Sequence, residues 1–142
     1  MGKTVLIQVK GIQDNASGEE IVTKTRGTMI YKEPYYYVSY EEKIDRESPD
    51  ISKTILRFSK RELRVTRKGE VESVLEFLEG NVHNSLYITS MGNFEVELIT
   101  DRLEIHLENK KSHIEADYRI GLNKMPPSYG KLEIHIEEAE AS

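Results

Sequence analysis

The chain has 142 residues, a mass of 16.4 kDa and a formal net charge of −5, and it contains no cysteine and no tryptophan. A chain of this length suits one domain, able to bury roughly two-thirds of its unfolded surface. The lack of cysteine excludes disulfides, thiol catalysis and thiolate metal sites, and the acidic balance argues against general nucleic-acid binding.

Hydrophobic alternation with a period of two runs through the chain and predicts strands. From Met1 to Lys10, Val5, Ile7 and Val9 alternate with Leu6, Gln8 and Lys10. This reads as a first strand rather than a signal peptide, and the expected setting is cytoplasmic. No apolar run approaches the roughly 18–20 residues of a membrane helix. A strand over 19–32 follows, in which Gly27 suggests a bulge or sharp bend. Glu33-Pro34 interrupts it before the aromatic strand Tyr35-Tyr36-Tyr37-Val38-Ser39-Tyr40, and the polar stretch 43–50, with Pro49, reads as a surface loop.

Strands resume at 51–58, 61–67 and 71–78, with joins at Ser59-Lys60 and Lys68-Gly69-Glu70 short enough for hairpins. Segment 71–79 also admits a helix, because Val71, Val74, Leu75 and Leu78 are spaced three and four apart. Further strands are expected at 85–90, 94–100, 103–107, 112–120 and 131–137, with turns at Met91-Gly92-Asn93 and Asn109-Lys110-Lys111 and a loop over 123–130. About ten consecutive strands with short joins predict an all-β meander forming a single domain over 1–142, its ordered core spanning about 3–138. Closure into an antiparallel up-and-down barrel would remove two exposed edges. A two-sheet sandwich is the alternative.

Several stretches, taken in order, resemble the YwiB-like family of small uncharacterised bacterial proteins. They are Thr25-Arg26-Gly27-Thr28-Met29-Ile30-Tyr31, Tyr36-Tyr37-Val38-Ser39-Tyr40-Glu41-Glu42 and Lys53-Thr54, then Val65-Thr66-Arg67-Lys68-Gly69, Leu86-Tyr87-Ile88-Thr89 with Gly92 and Phe94, Thr100, and Asp117-Tyr118. The resemblance covers nearly the whole chain. It implies a calycin-like barrel of about eight to ten strands, similar in outline to lipocalins, in a cytoplasmic, Gram-positive-type bacterial setting. It implies no function. Barrels of this size are filled by side chains or hold one small ligand.

Charge is unevenly spread, at +3 for residues 1–70 and −8 for 71–142. The positive excess sits in Lys53, Arg57, Lys60, Arg61, Arg64, Arg67 and Lys68. A hairpin through Ser59-Lys60 would put Arg57 and Arg64 on one face, where they could bind an anion or RNA. Stacking aromatics are missing from that row, so nucleic acid is not the expected partner.

The candidate binding residues are Tyr36, Tyr40, Arg57, Arg64, Tyr87, Thr89 and Tyr118. Tyrosines pack against and hydrogen-bond a small ligand, and an arginine neutralises an anionic one. The expected function is therefore non-catalytic binding of a small anionic or aromatic molecule inside the barrel or at its mouth. A structural or self-associating module, with an apolar patch around Tyr35, Tyr37 and Met125-Pro126-Pro127, is the alternative. An enzyme has the least support. The adjacent acid pairs Glu19-Glu20 and Glu41-Glu42 point to opposite strand faces, and no catalytic motif is present. Neither cofactor nor metal site is expected. His83, His106, His113 and His135 form no local ligand motif, and His106 and His135 share the charged side of their strands.

Overall fold

Alternating side chains fold the described residues into ten strands: β1 (Lys3–Gln13), β2 (Glu20–Lys32), β3 (Tyr35–Lys43), β4 (Ile51–Phe58), β5 (Glu62–Lys68), β6 (Ser73–Leu78), β7 (Val82–Thr89), β8 (Gly92–Glu108), β9 (Lys111–Leu122) and β10 (Ser128–Glu138). The computed structural model describes residues 2–13, 20–43 and 51–139. Apart from Lys43, which ends β3, the loop expected over 43–50 lies outside the described residues.

All pairings are antiparallel, in the order β6-β5-β4-β3-β2-β1-β10-β9-β8-β7. Two meanders, β1–β6 and β7–β10, are thus joined through β1 against β10, and the sheet curls until its outer strands β6 and β7 meet. Their seam is sparsely bonded. Glu72 and Ile88 exchange two backbone hydrogen bonds of 2.9 Å, and at the β6–β7 turn Gly80 N–H donates to Thr100 O (2.8 Å) while Thr100 N–H donates to Asn81 O (3.1 Å). Between them the Glu76 N–H donates to the His83 ring at Nδ1 (3.3 Å). The result is an antiparallel up-and-down barrel, nearly closed.

The inward rows carry the core, in which Val5, Ile7, Leu56, Phe58, Leu98 and Ile134 are fully buried. Each such aliphatic or aromatic side chain contributes about 1.5–3 kcal/mol by leaving water. Segment 71–79 resolves as a strand, with Leu75 and Phe77 packed inward, because strand pairing to β5 outweighs its helical spacing.

Two sequence expectations need correction. The segments 94–100 and 103–107 are one strand, β8, of 17 residues. Its register shifts between Thr100 and Arg102, leaving Asp101 as the extra residue of a bulge. One added residue reverses parity, so Val96, Leu98 and Thr100 before it and Leu103, Ile105 and Leu107 after it belong to the same core. Of the bulge or sharp bend expected at Gly27, a bulge against β1 is absent, since β1 pairs with β2 in unbroken register across it. Its glycine is needed for close approach instead: a Cβ there would lie 2.4 Å from the Ser39 carbonyl oxygen and 2.8 Å from Ile7 Cδ1.

Candidate functional site

The inward row of β3 places Tyr40 opposite Thr54 of β4, and Thr54 opposite Arg67 of β5. Arg67 shares its parity with Leu63 and Val65, so it points into the barrel at that end of the strand while remaining solvent-accessible. Among the described residues it forms no salt bridge. Its charge is felt by two phenols, Tyr40 and Tyr87.

Burial pushes the Tyr40 hydroxyl up to about 12, assisted by the Glu42 charge and opposed by Arg67 and the adjacent Thr54 hydroxyl. Among the described residues, Thr54 Oγ1 nevertheless has no hydrogen-bond partner of regular geometry. Burial likewise raises Tyr87, with Arg67 opposing and Tyr118 adding to the rise. Tyr118 meets Phe77 edge to face, with centroids 5.6 Å apart, and occupies the space that Gly130 leaves on β10. Thr100, opposite Tyr118 and fully buried, has a hydroxyl without a hydrogen-bond partner among the described residues. Among the described residues, this end of the barrel therefore combines a cation without a salt bridge, raised phenols and a buried hydroxyl without a hydrogen-bond partner.

Of the seven sequence candidates, Tyr40, Tyr87 and Tyr118 come together here. Tyr36 does not: it lies four residues, about 13 Å, along β3, stacked on Phe58 (5.4 Å) and against Tyr31 (4.7 Å). There it lines a mouth depression of about 320 Å³ with Met29, Leu107 and Ile136. Thr89 is engaged in the β7–β8 turn, where its hydroxyl donates to Gly92 O (2.7 Å) and accepts from Met91 N–H (3.1 Å). Arg57 and Arg64 are directly paired, as expected, but on the outer face. There Arg57 covers the Tyr35 ring at 4.4 Å and Arg64 bonds to Glu76. Strand parity separates them from the barrel interior, and Arg67 is the arginine of the cluster whose parity is that of the inward row. The sequence carried that signal, since Arg67 alternates with Leu63 and Val65.

The basic cluster is thus divided. Lys53 and Lys68 face each other across β4 and β5, Arg57 and Arg64 do likewise, and Arg67 turns inward. Acidic neighbours interleave the outer rows: Glu41 opposes Lys53, Glu76 opposes Arg64, and Glu62 accepts the Tyr35 hydroxyl, raising that phenol's pKa.

A groove of about 780 Å³ lies where the 123–127 loop folds over the β7–β8–β9 face, among Asn84, Leu86, Glu95, Glu97 and Met125. Asn123 pins that loop to Glu95 through two backbone-directed bonds of 2.8 and 2.9 Å. The expected apolar patch of Met125-Pro126-Pro127 adjoins it, and Val82, Leu86 and Ile88 form an exposed apolar row on β7.

The outer face of β8–β10 changes the expectation for histidine. Register sets His106 opposite His113, and His113 opposite His135. Beside them Glu104, Glu115 and Glu133 form a parallel acidic row. Potential donor atoms of His113, Glu133 and His135 all lie within 4.8 Å of one another. Hydrogen bonding from His135, then from His113, holds the Glu133 carboxyl below its ordinary pKa. Local spacing misses this grouping because three separate strands supply it.

A family described as a domain of unknown function (DUF1934) matches residues 7–135. The uncharacterized beta-barrel protein YwiB of Bacillus subtilis (strain 168) is 30% identical over 115 residues, covering 80% of this chain and 79% of that protein. The crystal structure of the Bacillus subtilis ywiB protein superposes with a TM-score of 0.85 at 24% identity, covering 98% of this chain and 94% of that one. The chain therefore belongs to the DUF1934 family of YwiB-like β-barrel proteins.

Proposed function

We propose that the protein binds a small anionic molecule, without catalysis, at the Tyr40–Arg67–Tyr87 end of the barrel. The observation that carries this reading is Arg67: an inward-facing, accessible guanidinium without a carboxylate partner among the described residues, flanked by two phenols. Such a group offers a planar, bidentate donor to a carboxylate or phosphate, and the phenols and Thr100 add hydrogen bonds and orientation. Phenols with raised pKa values stay protonated at neutral pH, which suits hydrogen-bond donation better than proton abstraction. Lipocalin-type barrels are of a size to hold one small ligand, and a calycin-like classification and a cytoplasmic setting belong to the same proposal.

The test uses anilinonaphthalene sulfonate, an aromatic anion, followed by fluorescence against a tryptophan-free background. Losing one charge-assisted bond costs about 1.5–3 kcal/mol, so Arg67→Gln should weaken binding at least about tenfold, while Arg57→Gln leaves it unchanged. Near-UV circular dichroism separates site binding from loosened packing. Equal affinity for the wild type and Arg67→Gln would overturn the reading.

The second reading is self-association through β7, favoured by its exposed row of Val82, Leu86 and Ile88 beside the groove. Sedimentation equilibrium tests it: a dimer in the wild type and a monomer in Leu86→Glu would support it, and a wild-type monomer would dismiss it.

A further inference from the structure

We propose that the outer face of β8, β9 and β10 carries a site for a divalent transition-metal ion, with zinc as its reference ion, held by the His113 and His135 imidazoles and the Glu133 carboxylate. The site is independent of the barrel lumen. Its parts come from the sheet register: His113 and His135 are directly opposed on β9 and β10, and Glu133 is two residues before His135 on the same face.

Glu133 Oε1 already stands between the two imidazoles, 3.2 Å from His113 Nε2 and 3.0 Å from His135 Nε2. The rings are nearly parallel, with centroids 4.3 Å apart and planes at 10°, so both present their Nε2 edges to the same oxygen. In a tetrahedral site with bonds of about 2.0–2.2 Å, neighbouring donors are separated by roughly 3.4 Å. The two Glu133 contacts need to open by only a few tenths of an ångström, while the His113 and His135 donors, within 4.8 Å of each other, close toward the same spacing around the ion.

The surrounding charges support these three as the ligands. Arg102 binds Glu104 (3.0 Å), Glu115 (3.3 Å) and Asp117 (2.7 Å), drawing on most of the neighbouring acidic charge. Glu133 has no such arginine contact among the described residues and directs its carboxylate to the imidazoles. Glu115 turns its other oxygen to His113 Nε2 at 3.4 Å, where it can orient the ring or approach the ion. His106 continues the histidine row but stands 6.1 Å from His113, centroid to centroid, outside the three-residue set.

Two imidazoles and one carboxylate favour zinc, copper, nickel or cobalt over magnesium and calcium, which prefer all-oxygen shells. His113 and His135 are 30% and 44% exposed, so a bound ion keeps water in its remaining positions and exchanges with solvent.

The experiment is calorimetric titration of untagged, chelator-stripped protein with zinc chloride, alongside electron paramagnetic resonance with copper(II). We expect one saturable zinc per chain and no magnesium binding under the same conditions. Outer-shell changes alone weaken metal sites by about 10–100-fold, so His113→Asn and His135→Asn should each cost at least about tenfold, and His106→Asn less than about twofold. Glu133→Gln, nearly identical in shape, should also weaken binding and supplies a variant that preserves packing. The copper spectrum should show two nitrogen ligands in the wild type and one in His135→Asn. Absence of saturable zinc binding, or zinc binding indifferent to both histidine substitutions, would overturn the proposal.

Discussion

Thr100→Val should stabilise the protein. Thr100 is 0% exposed, and its hydroxyl lacks a hydrogen-bond partner among the described residues. Its backbone is engaged, donating to Asn81 O and accepting from Gly80 N–H, so the residue holds the β6–β7 turn without using its side-chain oxygen. Burying an unpaired hydroxyl costs about 1–3 kcal/mol. Valine has the same branched shape and strand preference but no such cost. Allowing for imperfect repacking, a gain of about 1 kcal/mol is expected, which for a domain of this size raises Tm by about 4 °C. Urea unfolding monitored by tyrosine fluorescence measures the gain as a higher midpoint with an unchanged slope. A loss of stability exceeding about 1 kcal/mol would mean that the hydroxyl is satisfied in the folded protein, refuting the reasoning. If the hydroxyl instead serves a ligand, the same variant gains stability while losing affinity for anilinonaphthalene sulfonate.

Tyr40 predicts alkaline sensitivity. Its folded pKa of about 12 exceeds the ordinary 10.0, so between these values the unfolded chain releases a proton that the folded one retains. The contribution is intact below pH 10 and lost as pH rises toward 12, at up to about 1.4 kcal/mol per pH unit. Urea midpoints for Tyr40→Phe should fall less steeply over this window, and parallel slopes would reject the assignment. Gly130→Ala would place a Cβ 2.4 Å from Tyr118 Cζ, and overpacking of this kind costs about 1–3 kcal/mol. Gly11→Ala meets nothing within 4 Å among the described residues and should instead stabilise by about 0.5 kcal/mol. Opposite signs for these two variants in the same urea assay are the expected result.

Much of the barrel was legible because period-two alternation reports directly on which side of a sheet is buried. Val5, Ile7 and Val38 illustrate this, each buried between neighbours that are more exposed. The split of β8 was not legible, because Asp101 reverses parity and two halves of one strand then read as two strands. For the site, parity sufficed to turn Arg67 inward but was outweighed by its membership of a charged cluster. The histidine grouping required register as well. The two-residue turn Asn109-Lys110 makes each residue before it face the one equally far beyond, which pairs His106 with His113. A turn misjudged by one residue sends those side chains to opposite faces. The longer 123–127 connection hides the pairing of His113 with His135 completely, since no local rule fixes register across it.

The seam between β6 and β7 makes the barrel a rolled ribbon with a built-in line of weakness. Each interior strand is laced to its neighbours along much of its length, whereas these two outer strands share one bridge, a turn and a histidine contact. Parting them breaks few backbone bonds, while parting β1 from β10 would break a nine-pair ladder. Local opening follows the path of fewest bonds. Tyr87 lies beside this seam, one residue from the bridging Ile88. Opening of the sheet should therefore begin along this seam, next to Tyr87, before the longer ladders give way.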